Sequence, residues 1–302
     1  MGINLQRISD SPFVISLLSN LGRMLPLQVG HSLADLVAGQ IAVHQDSHMI
    51  RAVRANQWVV RGETSEKEAL DQAVRETLHN SARSIFDLYH YIQNEQATRQ
   101  SVIMDQTIQQ LVQRREFESR GLVIAGLHLG NFDLILQWLC WRGLRPLVLT
   151  IPDPQGGRRT EYERRKKAGM NLVPASVGAI RQALRHLQQG GVVMTGIDRP
   201  IPEPKAWPRF FGRPAALPMH HVFLAAKARV PVMVMVTIKQ SDGKNYVMTS
   251  EPIEMDSHPD RDVEALQNAE KVLSVAAGFI RQTPQQWSIS LPVWPETLEL
   301  VP

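Results

Sequence analysis

Two places in the chain put a histidine five residues ahead of an acid: His90 with Glu95, and His128 with Asp133. A neutral imidazole can take a proton from a hydroxyl near neutral pH, and a neighbouring carboxylate can fix its tautomer. Such a pair therefore suits acyl transfer to an alcohol. The bare pattern has little specificity, since ten histidines should give about one chance match in a chain of this composition. Context separates the two. His90 and Glu95 fall inside a helical pattern, where positions five apart diverge by about 140°, so that pair reads as structural. His128 instead closes the apolar run Gly121–His128, Gly130 permits a tight turn, and Asn131 can cap a following helix. A non-helical turn would let Asp133 fold back onto the imidazole, with His128 the general base and Asp133 its partner. The open alternative places Asp133 in the first helical turn, where the helix dipole favours an acid.

Other chemistries find less support. There is no Gly-x-Ser-x-Gly elbow and no Gly-x-x-x-x-Gly-Lys phosphate loop. Ser241 and Lys244 match a Ser/Lys spacing but flank an Asp242-Gly243 turn. His44 and His48 have metal-ligand spacing without further ligands, so no metal is expected. The single cysteine, Cys140, excludes an internal disulfide and sits among apolar neighbours.

The elements that must carry these residues read as follows. Residues 49–97 form two helices joined near residues 61–66. From residue 121 short apolar runs alternate with helical patterns, predicting strands at 121–128, 144–151, 172–174, 192–197, 230–239, 246–253 and 287–291. This alternation predicts an α/β fold with a mostly parallel sheet covered by helices. Both His128 and Asp198 end predicted strands, so both should open at the carboxyl edge of the sheet, where ligands bind in such folds. Arg165 offers a planar fork for an anionic head group, with Asp198 and Arg199 expected at the mouth of the same cleft. An Arg165–Asp198 ion pair without ligand is the alternative.

Residues 1–48 stand apart as an amphipathic, membrane-associating region, and residues 49–302 as the α/β domain. Phe13, Leu17, Leu21 and Leu25 recur at helical spacing, with Arg23 nearby, and a second apolar stretch spans residues 33–43. The latter suits either a core helix or a lipid interface. No apolar run reaches the roughly 18 residues of a spanning helix. No secretory signal pattern opens the chain, and Gln6 replaces the Ser or Thr that myristoylation prefers. The net charge of +4 is too mild to point to nucleic acid. Arg158, Arg159, Arg164, Arg165, Lys166 and Lys167 nevertheless crowd one segment, which suits an anionic ligand or membrane, or a solvated helix face.

Six segments in order resemble the bacterial lipid A biosynthesis (lauroyl/myristoyl) acyltransferase family, which includes phosphatidylinositol mannoside acyltransferases. They are Arg51–Asn56, His128–Asp133 (HLGNFD), Arg165–Gly169, Gly190–Asp198, Phe210–Ala215 and Pro284–Trp287. The resemblance runs from about residue 12 to 294. It departs after Pro214, where Leu217 and His220 replace a Thr and a Gly, and after Trp287, where a basic motif is missing. The resemblance implies a sheet like that of the glycerol-3-phosphate acyltransferases. It also implies an acyl thioester donor (acyl-CoA or acyl carrier protein), a lipid or glycolipid acceptor, and no cofactor beyond the co-substrate. Peripheral attachment to the cytoplasmic face of the inner membrane is a further implication. The matched blocks suggest Asn131, Arg165, Asp198, Arg199, Phe211, Gly212 and Arg213 as substrate-binding residues. A lysophospholipid or glycerol-3-phosphate acyltransferase, and a non-catalytic lipid-binding protein of the same fold, are the alternatives.

Overall fold

The computed structural model describes residues 22, 24–91, 94–114, 120–152, 156–167 and 169–302. Phe13, Leu17, Leu21 and Arg23 lie outside the described residues, and with them most of the expected N-terminal apolar face.

Three helices precede the sheet: α1 (Leu27–Ala42), α2 (His48–Val60) and α3 (Lys67–Tyr91). Then come α4 (Glu95–Ser101), β1 (Val102–Met104), α5 (Gln106–Arg114), β2 (Leu122–Gly126), α6 (Phe132–Trp141), β3 (Leu147–Thr150) and α7 (Gly156–Lys167). They are followed by β4 (Asn171–Pro174), α8 (Val177–Gln188), β5 (Val192–Gly196), the short hairpin β6 (Arg209–Phe210) and β7 (Arg213–Pro214), and α9 (His220–Ala228). The chain closes with β8 (Val232–Lys239), β9 (Asn245–Thr249), α10 (Arg261–Gln282) and two 3₁₀ turns.

Seven strands form one sheet in the order β1-β9-β8-β2-β5-β3-β4. Every pairing is parallel except the β8–β9 hairpin, so the predicted fold class is borne out. β2 is central and buried on both faces, which is why it reads as an unbroken apolar run. Val123, Ala125 and Leu127 meet α8, α9 and α10 on one face, while Leu122 and Ile124 meet α6 on the other. His128, two residues beyond Gly126, continues the α6 side.

Two expectations are corrected. No strand forms over 287–291; only Trp287 bridges Leu129. Asn56 takes the carbonyls of Ile289 and Leu291 and accepts from the Val293 N–H, so this segment's backbone pairs with a side chain instead of a ladder. His90 and Glu95 do not share a helix: α3 ends at Tyr91 and Glu95 opens α4. The His90 ring bonds the Gly22 carbonyl at 2.8 Å, so the pair is structural, though for a different reason.

Helix α1 seats its small residues inward. Gly30, Ala34 and Ala38, spaced four apart, are buried, and α1 packs extensively on α3. A Cβ on Gly30 would stand 1.8 Å from the Phe86 ring, so close approach demands glycine there. The large residues are turned out: Val29, Leu33, Leu36 and Val37 are exposed. No helix among the described residues is long and apolar enough to cross a membrane.

At the start of α9, His220 and His221 are packed beneath the sheet. His220 Nε2 lies 2.6 Å from the Thr195 hydroxyl, and His221 is fully buried. Desolvation lowers His220 to about 4 and His221 to about 3. The folded protein thus binds fewer protons than the unfolded chain below pH 6.5. Their stability contribution is complete above that value and is lost as pH falls toward 4. Acidification to pH 5 should cost on the order of 2 kcal/mol for each ring. Thermal melts at pH 7.5 and pH 5 should show a drop of several degrees. An unchanged Tm would contradict burial of two neutral rings.

Candidate active site

The site begins with strand register. Gly126 of β2 pairs with Gly196 of β5, so His128 and Asp198, each two residues further on, reach the same level beyond adjacent strand ends. The result is a 2.7 Å contact between His128 Nδ1 and Asp198 Oδ1. The other carboxylate oxygen, Oδ2, accepts from the His128 backbone N–H and from the Trp287 indole N–H, each at 2.8 Å. Asp198 is fully buried. Burial pushes its carboxyl up, but the facing His128 ring, the Trp287 indole and the His128 backbone N–H outweigh burial and hold it below the usual carboxylate range. A carboxylate opposite Nδ1 makes that nitrogen the proton carrier in the neutral ring, and leaves Nε2 with its lone pair.

The imidazole is braced on its other sides. Phe132 meets it edge-on, with ring centroids 4.7 Å apart. The His128 carbonyl accepts from the backbone N–H and hydroxyl of Ser288. Gly130 (φ +57°) donates to the Gln286 carbonyl at 3.0 Å. A Cβ at Gly130 would stand 2.4 Å from the Thr237 carbonyl oxygen, so both its conformation and its surroundings require glycine. Gly196 is exposed beside the ring, and a Cβ there would come within 3.3 Å of His128 Cε1. The His128 side chain is 23% exposed, so the ring is accessible from solvent.

A buried carboxylate behind an accessible imidazole, at the carboxyl edge of a parallel sheet, agrees with the family resemblance of the HLGNFD block. The sequence profile of the bacterial lipid A biosynthesis acyltransferases matches residues 12–295. The chain belongs to this family. A comparison with curated proteins found no match.

Within this lipid A–type acyltransferase the acid behind His128 is Asp198, not the expected Asp133. Asp133 is the second residue of α6, so the turn at Gly130 has already handed the chain to the helix. Its carboxylate meets Arg165 Nη2 at 2.7 Å. Arg165 is therefore tied to Asp133 instead of to Asp198. Asp198 itself was expected at the cleft mouth as a substrate contact; with both oxygens engaged and no exposure, it acts on substrate only through His128. Arg199 follows it, half-buried.

Asn131 neither caps α6 nor faces the cleft. It is buried, and its amide donates to Asp87 and Asn245. Phe211 (φ +52°) and Gly212 (φ +81°) form the turn between β6 and β7. The Arg281 guanidinium lies 4.7 Å from the Phe211 ring. Arg213 is paired with Glu63 at 2.5 Å, next to α2. Phe210 packs edge-on against Trp287 at 6.1 Å and stacks on Trp294. This block thus supports the indole that holds Asp198, from behind the site.

Sequence reasoning missed Trp287 as an active-site group, although its Pro-Gln-Gln-Trp segment was recognised. Asn56, in the Arg51–Asn56 block, anchors the stretch immediately after it. Arg51 bonds Glu299 at 2.7 Å and Arg54 pairs with Asp71, so that block is architectural.

Proposed function

We propose that this protein transfers a fatty acyl chain from an acyl thioester, acyl-CoA or acyl carrier protein, to a hydroxyl of a lipid or glycolipid. His128 Nε2 takes the hydroxyl proton as the oxygen attacks the thioester carbonyl. Asp198 fixes the reactive tautomer and stabilises the imidazolium, and the proton finally reaches the departing thiolate. The single observation that carries this reading is the His128–Asp198 contact, with the imidazole partly exposed. The thioester is already activated, so direct transfer needs no acyl-enzyme. The free N–H groups expected at the start of α6, with Arg165 nearby, suit the developing oxyanion.

Two surfaces favour a lipid substrate. The outward residues of α1 form an apolar strip suited to a membrane interface, in keeping with residues 1–48 as the membrane-associating region and with attachment at the cytoplasmic face of the inner membrane. Two residues past Asp198 begins a shallow, open depression lined by Pro200, Ile201, Trp207, Leu291, Pro292 and Pro295, with Glu203 the one charged residue among its lining. Such a lining suits an acyl chain better than a polar head group. The basic residues of α7 complement an anionic acceptor.

Purified protein incubated with acyl-CoA or acyl carrier protein thioesters and vesicles containing glycolipid acceptors should yield an ester product by mass spectrometry. It should yield little free fatty acid. Thioester hydrolysis alone, with no ester from any lipid hydroxyl, would overturn the transfer reading.

A further inference from the structure

The buried carboxylate of Asp87 lies near the C-terminal end of α3, far in sequence from the catalytic turn, and three donors from other parts of the fold converge on it. Its Oδ1 accepts from His31 Nε2 of α1 at 2.6 Å. Its Oδ2 accepts from Lys239 Nζ, at the end of β8, at 2.5 Å and from Asn131 Nδ2 at 3.0 Å. The same Asn131 amide donates to Asn245 Oδ1 at 2.8 Å, at the start of β9. Burial pushes the Asp87 carboxyl up, but the His31 hydrogen bond and the Lys239 charge outweigh it and keep the group ionised.

Asn131 stands three residues after His128, where a side chain would ordinarily cap the next helix. Its side chain makes no cap here and turns instead to Asp87. We propose that Asp87 is a positioning residue for the base: it fixes Asn131, and through it the turn that sets the imidazole against Asp198. His31 extends this hold to α1, the helix with the outward apolar strip. A neutral replacement at Asp87 has too few acceptor sites for three donors and leaves the half-buried Lys239 without a counter-charge. The turn then keeps its bonds to residues 284–288, to Asp198 and to Asn245, but loses its tie to α3. This inference rests on His128 as the base, so its test includes a readout independent of turnover.

The test compares Asp87→Asn/Lys239→Met, in which no unpaired cation remains, with Asn131→Ala and His31→Gln. For the first two, ester formation should fall about tenfold or more in kcat, while the acceptor KM moves less than about twofold. The ¹⁵N resonances of the His128 imidazole should shift in both. His31→Gln, which can still donate to Asp87, should keep most of the rate. A lowered Tm with unchanged kcat and unchanged His128 resonances would overturn the proposal, as would an effect absent from Asn131→Ala. If the double variant fails to fold, Asn131→Ala alone decides by the same two readouts. Retained transfer in His128→Ala would remove the base assignment, and the resonance shift would still judge the positioning.

Discussion

Asp198→Asn should lower the rate of ester formation by about 10²–10⁴ while leaving the fold intact. The reason is the direction in which the new amide must lie. Two N–H donors, the His128 backbone and the Trp287 indole, converge on Oδ2. The amide oxygen must occupy that position, which turns the NH₂ group toward His128 Nδ1. Nδ1 then accepts, the ring proton moves to Nε2, and the base is lost although every heavy atom stays in place. Asp133→Asn should behave differently. Its partner is Arg165, so the imidazole tautomer is unaffected and any loss acts through the guanidinium. ¹⁵N spectra of the imidazole, recorded beside the transfer assay, separate the two: the Nε2–H form should appear in Asp198→Asn only. Its appearance in Asp133→Asn and not in Asp198→Asn would reassign the partner of His128.

Much of this arrangement was legible in the sequence, and the exceptions share a cause. Apolar runs bounded by turn residues marked β2, β3, β4, β5, β8 and β9, because strands buried on both faces leave a continuous signature; the two-residue strands β6 and β7 and the short edge strand β1 left none. His128, which closes the apolar run containing β2, was identified as the base from the same boundary. Its partner was not, because spacing along the chain reports only local neighbours. Asp133 is near in sequence; Asp198 is 70 residues away and becomes adjacent only through the Gly126–Gly196 register. Both strands were predicted, yet their adjacency lies in the sheet order. Asp87 and Trp287 were hidden for the same reason. The face of α1 escaped because glycine and alanine were not weighed as packing residues. The stripe of Gly30, Ala34 and Ala38 allows close helix contact and turns the large apolar residues outward.

His128→Ala should lose nearly all transfer while keeping the fold, because a cleft-side imidazole contributes little to the core. A lipid hydroxyl is a weak nucleophile at neutral pH, and a positioned base contributes about 10²–10⁴ in rate. Asp198 cannot substitute, since it is fully buried and would face the space left by the ring without reaching the acceptor. The variant should also leave Asp198 without one of its donors, so a modest loss in Tm is expected. The direct measurement is single-turnover ester formation, with saturating thioester and acceptor-containing vesicles, for wild type and His128→Ala, each checked by circular dichroism. A fall of about 100-fold or more with an unchanged fold is the expected result; a folded variant that retains more than about a tenth of the wild-type rate would contradict His128 as the general base.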